Sequence, residues 1–342
     1  MPMTICTFNA NNLYVRYRFG TSFPGDRSGR SAVENPNFGY LPIYDPDLLD
    51  LYNPVQRGLS ARALTRDGTT LPDVICLQEI ESLIALRHFN EEFLESAYPY
   101  AFLLDSRDFR QIDVAILSRR PFLDIRTYVD EPDPLPGGGF LFSRDCLEVE
   151  VPLEGNRRLS LFINHFKSKY AETPEQRETG DAKRLRQAEK VVSILKSRFP
   201  GSQFEQRYFA VVGDLNDEPS SPALAPLVQG LGLVDALEAI PNQEDRWTHW
   251  WRSANEVSQL DYVLLSPALA EAVGGAAPVI ERRGVGFSRI LMDGSSGPRE
   301  TRFSRGEDDT DPVRIGFQFP RFEEVTPSDY ASDHCPIFLS IP

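Results

Sequence analysis

Short apolar runs rich in β-branched residues recur along the chain: Thr4 to Phe8, Val74 to Leu77, Val114 to Leu117, Leu147 to Val151, Leu159 to Ile163, Tyr208 to Val212, Tyr262 to Leu265 and Ile337 to Ile341. Runs of this length predict strands. Two stretches carry a helical period instead. Ser82 to Ser96 repeats through Leu83, Leu86, Phe89 and Phe93, and Asp181 to Phe199 through Leu185, Ala188, Val191, Val192, Leu195 and Phe199. Three regions break both patterns: Tyr14 to Pro72, Tyr128 to Ser143 and Arg282 to Asp329 are polar, marked by Pro and Gly, and without sustained period. They are expected to be long loops or insertions, of the functional or mobile kind. No repeat and no linker composition divides the chain, so one domain over residues 1–342 is expected.

Composition narrows the class. With 41% hydrophobic, 25% charged and 11% aromatic residues in a chain of 342, a large core can be buried, and disorder is excluded as the main state. The 36 Lys plus Arg against 50 Asp plus Glu give a net charge of −14, which argues against a protein that coats nucleic acid through a broad basic face. An acidic enzyme can still act on phosphates where a bound cation and a few local Arg and Lys reverse the sign inside a cleft. Cys6, Cys76, Cys146 and Cys335 lie far apart without C-x-x-C spacing and are expected to be reduced packing residues. The first residues show no signal pattern and no run approaches a membrane span. A cytoplasmic protein is therefore expected, with secretion left open if a precursor has been cut, and nothing points to an oligomeric state.

The candidate chemistry sits at the strand ends. Asn9 and Asn11 follow TICTF, Glu79 follows VICLQ, Asn164 and His165 follow LSLFI, Asp214, Asn216 and Asp217 follow AVVG, Asp261 opens DYVLL, and Asp333 with His334 precedes PIFLSI. A hard divalent cation takes a few carboxylate oxygens plus waters, which Glu79, Asp214 and Asp333 can supply. Singly each has an ordinary reading: Glu79 as a cap for the following helix, Asp214 as a turn residue, His165 as a hydrogen-bonded core histidine. Together they are a costly polar set unless gathered around a metal and a phosphate.

The ordered motifs TFNANNL (7–13), DVICLQE (73–79), IDVAILSR (112–119), INHFKSK (163–169), GDLNDEP (213–219), LDYVLL (260–265) and SDHCPI (332–337) resemble the endonuclease/exonuclease/phosphatase superfamily, to which deoxyribonuclease I belongs, and NHFKSK and GDLNDEPSSPAL look most like its bacterial nuclease-type members. The resemblance implies a four-layered α/β sandwich, two packed and mostly antiparallel sheets flanked by helices, with the site at one edge. It implies a metal-dependent phosphoesterase, with Mg²⁺ as cofactor and Mn²⁺ as substitute. Asn9, Glu79 and Asp333 match its metal shell, Asp214 and Asn216 the pair that orients the nucleophilic water, His334 the histidine at the scissile phosphate, Asp261 the aspartate that fixes that ring, and His165 a second histidine. Asn11, Asp113, Lys167 and Ser168 are candidates for substrate binding: Asn11 stands where relatives often have Asp, Lys167 and Ser168 can donate to phosphate oxygens, and Asp113 can orient His165 or bind phosphate through a neighbour such as Arg110. Arg184 and Gln187, one helical turn apart, either face the site or lie on an ordinary solvated face.

Three functions follow: a nuclease, which the motifs favour; a phosphatase or phosphodiesterase acting on a small-molecule or lipid phosphate ester; and a catalytically silent binding module. The last would be expected to have lost one of the costly charges, and all are present. Nucleic acid is thus the expected substrate. Arg16, Arg18, Arg27, Arg30, Arg282, Arg283, Arg299, Arg302 and Arg305, with Tyr14, Tyr17, Phe19, Phe287 and Phe303, offer a basic, stacking rim, partly cancelled by Glu307, Asp308, Asp309 and Asp311. Charge reversal at Arg299, Arg302 and Arg305 together should weaken DNA binding and flatten its dependence on salt, because each lost phosphate contact removes released counterions. An unchanged salt slope in filter-binding measurements would remove this loop from a nucleic-acid site.

Overall fold

Most of the predicted strands are apolar on consecutive positions rather than on alternate ones, Leu147 to Val151 with its alternating Glu148 and Glu150 being the exception, and a strand of the consecutive kind needs cover on both faces. The computed structural model, which describes residues 2–14, 34–35, 39–40, 53–108, 110–135, 137–169, 173–251, 256–286, 301–303, 313–315, 320–326 and 328–342, shows how that cover is provided. In chain order the elements are β1 (Met3–Leu13), β2 (Glu34–Asn35), β3 (Gly39–Tyr40), α1 (Pro54–Leu64), β4 (Val74–Ile80), α2 (Leu83–Phe93), β5 (Tyr100–Leu103), β6 (Asp113–Ser118), β7 (Asp124–Arg126) and β8 (Leu147–Pro152). There follow β9 (Arg158–His165), α3 (Pro174–Arg198), α4 (Gln203–Gln206), β10 (Tyr208–Asp214), β11 (Val234–Asp235), β12 (His249–Trp251), β13 (Glu256–Ser258), β14 (Asp261–Leu265), α5 (Pro267–Val273), β15 (Val279–Ile280), β16 (Thr301–Phe303), β17 (Val313–Ile315) and β18 (Ile337–Ile341).

Two six-stranded sheets carry the core, in the orders β15-β18-β1-β4-β6-β5 and β11-β14-β10-β9-β8-β7. Each is antiparallel except for one central parallel pair, β1 with β4 in the first and β10 with β9 in the second. Their inner faces meet through side chains such as Ile5, Val74 and Ile116 from one sheet and Val149, Ile163, Val212 and Val263 from the other. Outer-face residues Phe8, Ile75 and Leu117 pack with residues of α1 and α2, and Phe162, Phe209 and Leu264 with those of α3. The result is the expected sandwich of helix, sheet, sheet and helix. The four cysteines are free and buried. No helix among the described residues is long and apolar enough to cross a membrane.

All three regions expected to be loops contain structure, the third carrying β16 and β17, which form a sheet with β12 and β13. In the first, α1 starts from Asn53, whose side chain accepts from the Val55 and Gln56 amides, and it buries Ser60, Ala61 and Ala63 along with Leu59 and Leu64. A face made largely of small residues shows no hydrophobic period, which is why the pattern missed it. In the second, Leu141 and Phe142 enter the core beside α3. Arg186 on that helix bonds both oxygens of Asp133 at 3.0 and 3.1 Å, and Lys190 reaches Glu131 at 2.7 Å. Helix α3 also begins earlier than its apolar period, at Pro174 after the Thr173 cap, because its first turns are polar and exposed.

Asp235, at the outer edge of the second sheet, is buried, accepts from Leu237 N at 3.0 Å and Gln259 Nε2 at 2.6 Å, and is pushed up to about 6, chiefly by burial. A carboxyl that holds its proton more tightly folded than unfolded contributes stability below about pH 4 and loses it as pH rises through about 6. Asp235→Asn, with the Gln259 amide turned over, should therefore flatten this part of the fall in stability between about pH 4 and pH 6. At pH 7 it should raise stability by on the order of 1 to 3 kcal/mol. Urea unfolding of both proteins across that range checks it; a variant curve parallel to the wild type contradicts it.

Candidate active site

The carboxyl ends of the two parallel pairs point into one place, and the backbone departs from regular strand there. β1 and β4 slip register between Asn9 and Leu13, and Asn11, Asn12 and Glu79 take φ of 46°, 63° and 64°. Asn tolerates this left-handed conformation, whereas for Glu it costs about 1–2 kcal/mol. Bulges of this kind re-aim side chains. Here the bulge lets Asn12 N donate to Glu79 Oε2 at 3.0 Å, while Arg57 from α1 bonds Asn12 O at 2.7 Å and holds it.

In the second sheet Asp214 is in register with His165 on one side and Asp261 on the other. Gly213 before it has φ of +123°, and a Cβ there would lie 2.1 Å from Asn164 O. Asn216, at φ of 54°, bonds Asp214 Oδ1 through its backbone N at 2.8 Å and Phe166 O through Nδ2 at 3.2 Å. The third contribution precedes β18. Ser332 Oγ donates to Asn9 O at 2.8 Å and accepts from His334 N at 2.9 Å, tying this turn to β1.

These constraints converge on Asp214 Oδ2. Asn9 Nδ2 lies 3.0 Å from it, His165 Nε2 3.5 Å and His334 Nε2 3.8 Å. His334 Nδ1 is 2.8 Å from Asp261 Oδ2, and the Asp261 backbone N is bonded to Thr248 Oγ1 at 3.0 Å. His165 Nε2 is also 3.9 Å from Glu79 Oε1, and its Nδ1 has no hydrogen-bond partner among the described residues.

The electrostatics separate the two histidines. Burial opposes charge on His334, but the carboxylates of Asp261, Asp214 and Asp333 outweigh it and hold its imidazolium well above the ordinary range. Burial takes His165 far below that range, reinforced by Arg144, Arg110 and His334, so that ring is neutral. Burial raises Asp214 to about 7, against the pull of His334. Burial also raises Glu79, with Asp333 adding to the rise while Arg110, His334 and Arg144 oppose it.

Two positions suit a divalent cation. Asp214, Asp261 and His334 bring ligand atoms within 4.8 Å of one another, but there His334 Nδ1 is spent on Asp261 and the ring is itself a cation. Glu79 and Asp333 fit better: among the described residues neither pairs with Lys or Arg, and their hard oxygens repel each other across the site. Asn9, expected in the same shell, spends Nδ2 on Asp214, and its Oδ1 accepts from Asn11 N at 3.0 Å.

Other sequence candidates lie elsewhere. Asp113 does not orient His165: its carboxylate accepts from Ser106 N at 3.0 Å and from Ser106 Oγ. Asn11 Oδ1 accepts from Asn12 Nδ2 at 3.0 Å. Lys167 and Ser168 are half-buried just beyond His165. Arg184 and Gln187 are not a solvated face. Both are buried, Arg184 bonding Asp217 Oδ2 at 2.8 Å and Lys167 O at 3.1 Å, and Gln187 Oε1 accepting from Lys167 N at 2.9 Å.

The rim reading is corrected in part. Tyr14 is buried with its hydroxyl on Asn12 Oδ1, Arg282 bonds the Trp247 and Asp245 carbonyls, and Arg283 pairs with Glu281. Arg16, Tyr17, Arg18, Phe19, Arg27, Arg30, Phe287, Arg299, Arg305, Glu307, Asp308, Asp309 and Asp311 lie outside the described residues, as do the side chains of Arg302 and Phe303 on β16.

The sequence reading missed His249 and Arg144. The ring of His249, taken down to about 4 by burial and then by His334, has its centroid 4.6 Å from that of His334, and its Nε2 is 3.9 Å from Asp333 Oδ2. It sits in the aromatic run THWW with no polar cluster to flag it. Arg144 is buried, bonding Asp108 Oδ2 at 3.0 Å and Phe166 O at 2.5 Å.

The profile of the Endonuclease/Exonuclease/phosphatase family matches residues 7–334. The chain belongs to that family. It is accordingly a metal-dependent phosphoester hydrolase. No curated protein matches it significantly. Among solved structures it resembles humanized TDP2 of D. rerio carrying 14 mutations, at 16% identity and TM-score 0.52, over 100% of this chain and 99% of that one. The human Nocturnin catalytic domain with bound sulfate aligns at 13% identity and TM-score 0.53, covering 100% and 94%. A family protein from Bacteroides vulgatus aligns at 13% and 0.54, covering 100% and 99%. At such identities the likeness speaks for the fold.

Because a Cβ at residue 213 would strike the Asn164 carbonyl, Gly213→Ala should cost at least about 3 kcal/mol of stability, or lower turnover more than tenfold by moving Asp214. Denaturant titration and activity of the purified variant decide it; a variant unchanged in both means the strand end yields freely.

Proposed function

We propose that this family member is a nuclease that hydrolyses phosphodiester bonds by in-line attack of an activated water. The observation that carries the reading is the convergence of Asn9, His165 and His334 on Asp214, with His334 braced by Asp261. Asp214, raised to about 7, is matched to accept a proton from water near neutral pH. Asn216, fixed through Phe166 O, flanks that water. His334, charged and held by Asp261, stabilises the negative oxygens of the crowded phosphorane. Neutral His165 donates through Nε2 on the Glu79 side of the same phosphate.

Glu79 and Asp333 would hold the divalent cation, with Mg²⁺ our choice and Mn²⁺ a substitute, since both take oxygen ligands. Bound there, the cation supplies neutralisation of the phosphate's charge and polarises its oxygens. The nuclease-like NHFKSK and GDLNDEP segments favour nucleic acid over a small or lipid phosphate ester.

Hydrolysis should stop in excess EDTA and return with Mg²⁺ or Mn²⁺; full activity with chelator contradicts the cation's role. His334→Ala and Asp214→Asn should each lower turnover by at least about a hundredfold while folding survives. The substrate is decided by a panel of plasmid, single-stranded DNA, RNA, abasic duplex, lipid diesters and small phosphate esters. Turnover confined to the last two classes overturns the nuclease reading.

A further inference from the structure

The chain has four histidines. His165 and His334 take part in the reaction described above and His88 lies on α2, which leaves His249 without a role. Its strand, β12, is built onto the turn that carries Asp333 and His334. Trp250 N donates to Asp333 O at 2.9 Å, Cys335 N donates to Thr248 O at 2.7 Å, and His249 stands opposite His334 in an antiparallel bridge. On its other side β12 pairs with β13, placing His249 opposite Ser258, and Thr248 N donates to Ser258 O at 3.0 Å. The backbone around His249 is therefore fixed relative to Asp333 from both sides. Its side chain, 15% exposed, is not sealed in the core.

The two ring nitrogens have different surroundings. Nδ1 lies 3.4 Å from Ser258 Oγ, the one hydrogen bond of the ring among the described residues. Nε2 faces Asp333 Oδ2 at 3.9 Å, which is too long for a hydrogen bond. Two donor atoms held about 2.1 Å from one cation lie about 3 to 4 Å from each other, and this pair has that separation. The other carboxylate oxygen, Asp333 Oδ1, rests 3.4 Å from Ser332 Oγ, so Oδ2 is the oxygen turned to His249.

We infer that His249 Nε2 is a ligand of the cation that Asp333 holds, with Ser258 Oγ taking the Nδ1 proton and leaving the Nε2 lone pair directed at the ion. The inference deepens the proposed function and rests on it for the role of Asp333. A histidine that binds a metal commonly gives its other N–H to an outer partner, which fixes its tautomer and the direction of its ring. Mg²⁺ is satisfied by carboxylate oxygens and water and gains little from nitrogen. First-row transition ions such as Mn²⁺ and Co²⁺ gain more. The site therefore favours Mn²⁺ over Mg²⁺ in affinity, while the abundance of each ion decides which one it carries.

Mn²⁺ alone is the probe, added to the full chain at about pH 8, where an imidazole is neutral. Its dissociation constant is read from loss of the free-ion electron paramagnetic resonance signal, and its ligands from the spin-echo modulation that a coordinated nitrogen imparts. Bound Mn²⁺ should show that modulation in the wild type and lose it in His249→Phe, which keeps a ring against His334. The same change should weaken Mn²⁺ at least about tenfold, and Mg²⁺, measured by competition, less than about threefold. Where Phe is not accepted by the fold, His249→Gln also removes the ring nitrogen and should remove the modulation. Ser258→Ala should weaken Mn²⁺ by a smaller factor and leave the modulation in place. His88→Ala, an exposed histidine paired with Glu92, is the control and should change nothing. Wild-type Mn²⁺ without nitrogen modulation overturns the inference, as does modulation that persists in a folded His249 variant. A wild type that binds Mn²⁺ with the His249 signature but cleaves no phosphodiester leaves the ligand standing and overturns the nuclease reading. Phosphodiester cleavage supported by Mn²⁺ that shows no nitrogen signature does the reverse.

Discussion

Four carboxylates are brought to one place: Glu79 and Asp214 from the central parallel pair of each sheet, Asp261 and Asp333 from the start of β14 and the turn before β18. Glu79, Asp214, Asp261 and Asp333 come from different strand ends, and Asp214 and Asp261 are fully enclosed. Much of the local structure answers their mutual repulsion. His334 lies against two of them as an imidazolium, the Asn9 amide and Asn216 N divide the oxygens of Asp214, and Asn12 N and Thr248 fix Glu79 and Asp261. The left-handed residues at the ends of β1, β4 and β10 are the backbone conformations that let those donors reach. A regular ladder would have spent the same amide groups on neighbouring strands.

The two histidines show how strongly placement governs chemistry. Both are buried and both approach Asp214, yet one is charged and the other neutral. His334 has a carboxylate on each side. His165 is as close to Asp214, at 3.5 Å, but has no counterpart to Asp261, which lies 2.8 Å from His334; burial, then Arg144 and Arg110, keep it neutral. A histidine that ionises makes its neighbour harder to ionise, so one proton in this space excludes another. His249, its ring tilted beside that of His334, is kept neutral by burial first and by the charge of His334 second. The site is thereby furnished with one cationic and two neutral rings without any difference in residue type.

The sheets were legible because burial on both faces makes most strands continuously apolar, and all eight runs became strands, including Leu147 to Val151, whose Glu148 and Glu150 are buried against Arg198 and Arg158. Helix α2 was legible from its Leu and Phe positions. What escaped was structure stabilised by something other than large side chains: α1 through alanines and serine, the capped polar start of α3, and the short strands β7, β12 and β13. At the strand ends, polar residues after apolar runs marked Glu79 and Asp214, and those just before one marked His334, whose side chains the fold brings into one space. Residues that act through partners were harder to see. Asp113 looked like a support for His165 and bonds Ser106 instead, while Arg144 and His249 carry no mark in the linear sequence, since their significance comes from Asp108, Phe166 and Asp333 being adjacent only in three dimensions.

The pairing of β18 with β1, Met3 opposite Ile341 and Thr7 opposite Ile337, has a bearing on how the molecule comes into being. β1 is made early and must wait for β18, and the bond from Ser332 to the Asn9 carbonyl spans 323 positions. Such long closures are slow and cannot nucleate folding. While the chain is emerging from the ribosome, the first sheet therefore has an open edge at β1, and His334 has no bracing carboxylate until the second sheet stands. The hydrolytic centre is thus assembled late, by the same event that seals the first sheet. An incomplete chain would hold most of the scaffold but lack the cation on which its buried acids depend.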